Sequence, residues 1–386
     1  MAEDNDIAAL LDEEAVIAGI GRWATIETPS RDAAAVNRLM DLIADEARAD
    51  GLSVSRTPGR DGFGDHLKLE TDPQANGPRL LVLTHVDTVH PVGTLAELPF
   101  RRDGDKLYGP GVYDMKGGAY LTLEALRLLK RAGRTPKLPV TILVMADEEA
   151  GTPTGRTLIE AEAPRAAAAL VVEGARDGGR IVTERKGAAR YRLAATGKPA
   201  HSGSRHQDGA SAIREIAAKT VGLEAMTDYA KGLTVNIGVV AGGTAVNVVP
   251  ARAEAEVDIR IADLASAADI DARMKAMVAE IPGVVLEVTG GLNRPPMERT
   301  PEVSALFEHA RSLATEIGFE LDTVPRTGGG SDGNFTAAMG VPTLDGLGVD
   351  GHGAHTLEEH MYVSSIRPRA ALLARLYETV GPEMFQ

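Results

Sequence analysis

Three short runs of apolar residues each stop at a side chain that can bind a metal ion. Leu80-Leu81-Val82-Leu83-Thr84 runs into His85. Val140-Thr141-Ile142-Leu143-Val144-Met145 runs into Asp147-Glu148-Glu149, and Ala169-Leu170-Val171-Val172 into Glu173. Unbroken runs of this length predict strands buried on both faces. Between them, apolar residues recur at helical spacing from Ala119 to Leu129 and around Thr157 to Glu162. Buried strands alternating with helices predict an α/β fold, a mostly parallel sheet flanked by helices. Such sheets bind ligands outside the carboxyl ends of their strands. Three strands ending in ligand types therefore predict one site at one end of one sheet.

Two further stretches add candidates. Gly109-Pro110-Gly111-Val112-Tyr113-Asp114-Met115-Lys116-Gly117-Gly118 puts Asp114 in a glycine-rich turn, and Gly353-Ala354-His355-Thr356 carries His355. The chain has no cysteine, which removes disulfides, thiolate zinc sites and cysteine nucleophiles. Any metal site must use His, Asp and Glu. Two histidines with three carboxylates suit a paired site, each ion taking one histidine and one terminal carboxylate and sharing a third. The N/O ligand set suits two Zn²⁺ ions, with Co²⁺ or Mn²⁺ as substitutes. Asp87 lies two residues beyond His85 and faces the same side of an extended chain, so it can hold the imidazole from behind. Glu148 and Glu149 are neighbours, which a strand would point to opposite faces. Both reach one site only where the strand has ended, and Ala150-Gly151-Thr152-Pro153 permits that turn. One glutamate can then ligate while the other, unbound, accepts a proton from water.

The net charge of −14 and the 4% aromatic content argue against nucleic acid as a partner. No run of about 18 apolar residues occurs, so no membrane span is expected. The acidic Met1-Ala2-Glu3-Asp4-Asn5-Asp6 has none of the features of a secretory signal, and a cytoplasmic location is expected. Helical spacing recurs over Ile7–Thr25 and Ala33–Arg48. From about Gly187 the pattern changes to strand 189–196, helix 211–225, strands 234–241 and 251–261, helix 267–281, strand 284–289. That β-α-β-β-α-β order is ferredoxin-like. We expect residues 187–297 to form an inserted α+β domain, with 1–186 and 298–386 as the catalytic domain. A helix over Pro301–Ile317, a loop over Thr327–Asn334, a strand over Val341–Leu344 and a helix over Ser365–Thr379 complete the second part.

Within the inserted part, His201 sits at a strand-to-helix junction, and Asn247, Arg260 and Arg294 lie at strand ends. Gly328-Gly329-Gly330-Ser331-Asp332-Gly333 lacks the Lys-Ser/Thr of a phosphate loop. Its backbone N–H groups suit a substrate carboxylate instead. His66, His90, His206, His309, His352 and His360 read as ordinary surface or core histidines.

Thr84-His85-Val86-Asp87-Thr88-Val89, Tyr108 to Gly118, Asp147-Glu148-Glu149 and Gly353-Ala354-His355-Thr356 resemble the motifs of a co-catalytic zinc peptidase family. It holds bacterial glutamate carboxypeptidase, acetylornithine deacetylase, succinyl-diaminopimelate desuccinylase and the aminoacylases. The resemblance spans nearly the whole chain. It implies that Asp114 bridges two zinc ions, that His85 and Glu173 complete one and that Glu149 and His355 complete the other. It makes Glu148 the general base and Asp87 the residue that orients His85. The inserted domain would be a dimerisation or lid domain whose His201 reaches a neighbouring active site, giving a homodimer. Asn247, Arg260, Arg294, Gly329 and Gly330 would bind the substrate carboxylate. Tyr-Gly-Pro-Gly ahead of Asp114 resembles the glutamate carboxypeptidase branch. The implied activity is hydrolysis of an amide bond next to a free carboxylate in a small peptide. An N-acyl amino acid deacylase is the alternative, and a non-catalytic metal-binding protein a remote one.

Overall fold

The computed structural model describes residues 7–385. Its strands, in chain order, are β1 (Ser53–Thr57), β2 (His66–Glu70), β3 (Arg79–His85), β4 (Arg101–Asp103), β5 (Lys106–Tyr108), β6 (Val140–Met145) and β7 (Ala166–Val171). They continue with β8 (Gly187–Thr196), β9 (Thr234–Gly242), β10 (Arg252–Ile261), β11 (Val285–Arg294), β12 (Thr343–Leu344), β13 (Gly351–His352) and β14 (His360–Tyr362). The helices are α1 (Glu13–Ala24), α2 (Ala33–Ala49), α3 (Gly117–Arg131), α4 (Arg156–Glu162), α5 (Ala212–Glu224), α6 (Leu264–Lys275), α7 (Pro301–Ile317), α8 (Gly333–Ala338) and α9 (Ile366–Thr379). Among the described residues no helix is long and apolar enough to cross a membrane.

The chain divides into two compact units. One takes the residues up to Glu184, Arg299–Thr327 and those from Ser331; the other takes Arg185–Glu298 and Gly328–Gly330. The first unit is built on a mixed six-stranded sheet in the order β1-β2-β6-β3-β7-β12. β6, β3, β7 and β12 run parallel, while β1 and β2 are antiparallel additions at one edge. Every residue of β3 and β6 is buried, as unbroken apolar runs require when helices cover both faces. α3 packs against α9, and α7 packs on α9 and β12. A small second sheet, β13-β14-β5-β4, lies in the same unit. Its two- and three-residue strands are too short for any periodicity to show in the sequence.

The second unit is a four-stranded antiparallel sheet, β11-β8-β10-β9, carrying α5 and α6. Ala189, Tyr191, Leu193 and Ala195 of β8 share a core with Ala253, Ala255, Val257 and Ile259 of β10. The alternating residues Arg190 and Arg192 are exposed, the half-buried pattern of a sheet with helices on one face.

Several boundaries differ from the periodicity. The helix expected over Ile7–Thr25 is a short turn at Ile7–Leu10 followed by α1, because Asp12 accepts from Ala15 N at 3.1 Å and restarts the helix. The helix expected over 267–281 begins earlier and ends earlier. Asp263 caps it through Ser266 N at 2.7 Å. Beyond Ala276, the buried Glu215 carboxylate of α5 accepts from Glu280 N at 3.1 and 3.0 Å and from Ile281 N at 2.8 Å, in place of helical bonds. The loop expected over Thr327–Asn334 runs into α8, which starts at Gly333.

Candidate metal centre

Strand register sets the first three ligand candidates side by side. His85 ends β3 opposite Met145 of β6, and Leu83 pairs with Val171 of β7. The chain past Met145 and past Val171 therefore leaves the sheet beside His85. Glu148 and Glu173 each offer an oxygen in a group with a His85 ring nitrogen whose members all lie within 4.8 Å. Glu148–Ala150 forms one short turn, closed by Gly151 at φ +89°. The turn lets Glu149 face the same site as Glu148.

Asp87 holds this arrangement from behind. Fully buried, it accepts from Glu148 N through Oδ1 and from Glu149 N through Oδ2, both at 3.2 Å. Ser30 Oγ donates to it at 2.6 Å. His85 Nδ1 lies 3.0 Å from the Asp87 backbone carbonyl and 3.4 Å from its Oδ1. One residue thus sets the tautomer of His85 and fixes the backbone of both glutamates. Nδ1 donates to the Asp87 carbonyl, which leaves Nε2 as the ring nitrogen that faces the site.

Asp114 lies between two histidines. Its Oδ1 is 3.4 Å from His85 Nε2, and its Oδ2 is 3.2 Å from His355 Nε2. Glu173 Oε1 stands 3.7 Å from His85 Nε2, and Glu149 Oε2 stands 3.1 Å from His355 Nε2. His355 itself holds a left-handed backbone, φ +65°, and its side chain is half exposed.

The donor set fits two cations. Asp114, Glu148, Glu149 and Glu173 bring four carboxylates to two imidazoles in a mostly buried place. Burial, together with the charge of Asp114, pushes the Glu173 carboxyl well above its usual range. Hydrogen bonds to Asp114 and Glu149 pull His355 up to about 10. The cluster is therefore short of positive charge. His85 Nε2 and Glu149 Oε1 are buried and have no hydrogen-bond partner among the described residues. Orphaned atoms of ligand type, on residues whose ligand atoms gather within 4.8 Å, are what an all-N/O metal site leaves when only protein atoms are counted. Two His/Asp/Glu clusters, His85 with Glu148 and Glu173, and His85 with Asp114 and Glu149, are consistent with a binuclear zinc site.

The sequence profile of peptidase family M20/M25/M40 matches residues 81–379, which hold all of these side chains. The chain belongs to that family. Carboxypeptidase G2 of Pseudomonas sp. (strain RS-16) is 32% identical over 382 residues, 97% of this chain and 91% of that protein. A succinyl-diaminopimelate desuccinylase of Methylobacterium radiotolerans is 25% identical over 89% of this chain and 92% of its own length. In fold, the chain is similar to aminopeptidase PepT of Bacillus cereus, with a TM-score of 0.76 at 22% identity, covering 95% of this chain and 99% of that one. As a member of the M20 family, the protein is a metal-dependent hydrolase of amide or peptide bonds near a carboxylate.

The remaining candidates belong to the second unit and fall into two groups. His201 is exposed, and its Nδ1 accepts from Gly203 N and Ser204 N, each at 3.2 Å. That leaves Nε2 as an outward N–H donor. Ser202 N donates to Asn247 O at 3.0 Å, so these two segments run side by side. The second group surrounds Gly328–Gly330. Arg260 Nη1 donates to Gly328 O at 3.3 Å, and a Cβ on Gly330 would stand 2.6 Å from Arg294 Cδ. The glycine loop offers its carbonyls to arginines, where the sequence suggested N–H groups offered to a ligand. Arg185, fully buried and donating to Gly329 O at 3.1 Å, joins this group. Nothing in its sequence context, Glu184-Arg185-Lys186, singles it out.

His90 and Glu359 were also missed. His90 Nε2 lies 2.8 Å from Glu359 Oε2 in a buried pair beside the Asp114 turn. A histidine five residues past a ligand-bearing strand end is the sole signal the sequence gives.

Proposed function

We propose that this chain is a glutamate-carboxypeptidase-like enzyme that releases a C-terminal amino acid by hydrolysing the amide bond beside its free carboxylate. The observation that carries the reading is Asp114, whose two oxygens face two different histidines at 3.4 and 3.2 Å. In this reading Asp114 would be shared by two ions, with His85 and Glu173 holding one and Glu149 and His355 the other. Bound there, the ions would supply Lewis acidity to a carbonyl and acidify a water. Glu148 takes the proton from the attacking water and returns it to the leaving nitrogen. Asp87 keeps Glu148 and Glu149 in place and His85 in the ligating tautomer. Arg260 and Arg294, with Gly329, Gly330 and Asn247, take the substrate carboxylate. The 32% identity to a carboxypeptidase over nearly the full chain supports this specificity.

A substrate panel tests it. Dipeptides and N-acyl amino acids with a free C-terminal carboxylate should be cleaved by zinc-loaded protein. Amidating that carboxylate should lower kcat/KM by roughly 10²-fold, the worth of one or two charge-assisted hydrogen bonds. Equal cleavage of the amidated series would sink the carboxylate requirement. A preference for succinyl or acetyl groups over peptides would favour the deacylase reading.

We further propose a homodimer formed through the second unit, in which His201 donates its Nε2–H to the oxyanion of the partner's site. A single oxyanion donor contributes roughly 10²–10³ in kcat. His201→Ala should lose activity on that scale and keep its zinc. Mixing it with Glu148→Gln under subunit exchange should restore part of the activity, because one site of each mixed dimer has both groups intact. No recovery in demonstrated heterodimers would place His201 in its own chain's site or outside the reaction.

A further inference from the structure

Glu359 accepts four hydrogen bonds in the first unit and is 1% exposed. Oε1 takes Tyr113 N and Asp114 N, each at 3.0 Å. Oε2 takes Gly111 N at 2.9 Å and lies 2.8 Å from His90 Nε2. β14 pairs with β5 so that His360 faces Tyr108. That register sets Glu359 against Gly109, where the turn to Asp114 begins. The turn itself is tight: Gly111 has φ +77°, and a Cβ there would stand 2.8 Å from Thr88 Cγ2. The backbone N–H of Asp114 is thus held by the Glu359 carboxylate, while its side-chain oxygens face His85 and His355.

From this geometry we propose that Glu359, aligned by His90, is the positioning residue that presents both oxygens of Asp114 to the metal pair. The inference rests on the proposed bridging role of Asp114. Glu359 joins three ligand-bearing segments: the His85 segment through His90, the Asp114 turn, and the segment that begins at His355. Both of its oxygens accept from backbone N–H groups of the Asp114 turn. A glutamine in its place turns an NH₂ towards either Gly111 N or the Tyr113 and Asp114 N–H pair, whichever way the amide lies. Removing a group that orients a metal ligand costs roughly 10–100-fold in metal affinity.

The test is zinc binding by the full-length protein, read by competition against a chromogenic chelator, with thermal melting as a parallel measure of fold. Glu359→Gln should bind both zinc ions about 10–100-fold more weakly, because the two share Asp114. His90→Leu should shift affinity in the same direction by about 2–12-fold, the loss of one hydrogen bond. A lowered melting temperature with affinity unchanged would mean that Glu359 only stabilises the fold, which overturns the inference. If Glu359→Gln does not fold, His90→Leu decides, and wild-type affinity there overturns it too. Asp114→Ala serves as the reference. Should it lose zinc while Glu359→Gln keeps it, only the present inference fails. Should it bind zinc as wild type does, the bridging reading fails, and this inference with it.

Discussion

Glu148→Gln is expected to keep its zinc and lose nearly all turnover, by roughly 10²–10⁴-fold, the usual contribution of a positioned general base. The substitution keeps the size of the side chain and the backbone N–H that donates to Asp87, so the turn that carries Glu149 should survive. Zinc content per chain and kcat on one hydrolysed dipeptide are the two readings. Because Glu148 also lies in one ligand-type cluster with His85 and Glu173, the opposite result is informative. A variant that loses zinc, and works again when zinc is resupplied, would make Glu148 the ligand and Glu149 the base.

Asp114→Ala should have the larger effect on metal content. Asp114 stands 3.4 Å from His85 and 3.2 Å from His355, so in the bridging reading the change removes a ligand from each ion at once. Calorimetric titration should show both binding events weakened, and hydrolysis should fall with them. Metal binding to the native state also adds to its stability. A chelator should therefore lower the melting temperature of the wild type and leave that of Asp114→Ala nearly unchanged. A variant holding two zinc ions would rule out the bridging role.

The central sheet was legible because burial on both faces leaves one kind of sequence. The runs ending at His85, Met145 and Val171 contain almost nothing polar, and a side chain that breaks such a run must be at a strand end. Asp114 was legible through the glycines that its turn needs. What escaped depends on distant partners. Glu359 sits in Leu357-Glu358-Glu359-His360, a polar stretch like many surface loops, and the groups it binds lie 245 to 269 residues away. Arg185 is hidden in the same way among charged neighbours. The end of α6 was misjudged because Glu215, on another helix, captures the backbone that would have extended it.

The pairing of β14 with β5 carries a consequence for synthesis. As the chain leaves the ribosome, His85, Asp114, Glu148, Glu149 and Glu173 all precede the second unit, while His355 and Glu359 come after it. A nascent chain can complete the strand ends around His85 early, yet Asp114 lacks the carboxylate that holds its backbone, and the partner histidine for its second oxygen, until the last strand is added. The full set of His, Asp and Glu ligand candidates, and with it the capacity to cut peptide bonds, can then arise only after the second unit and β14 have been made.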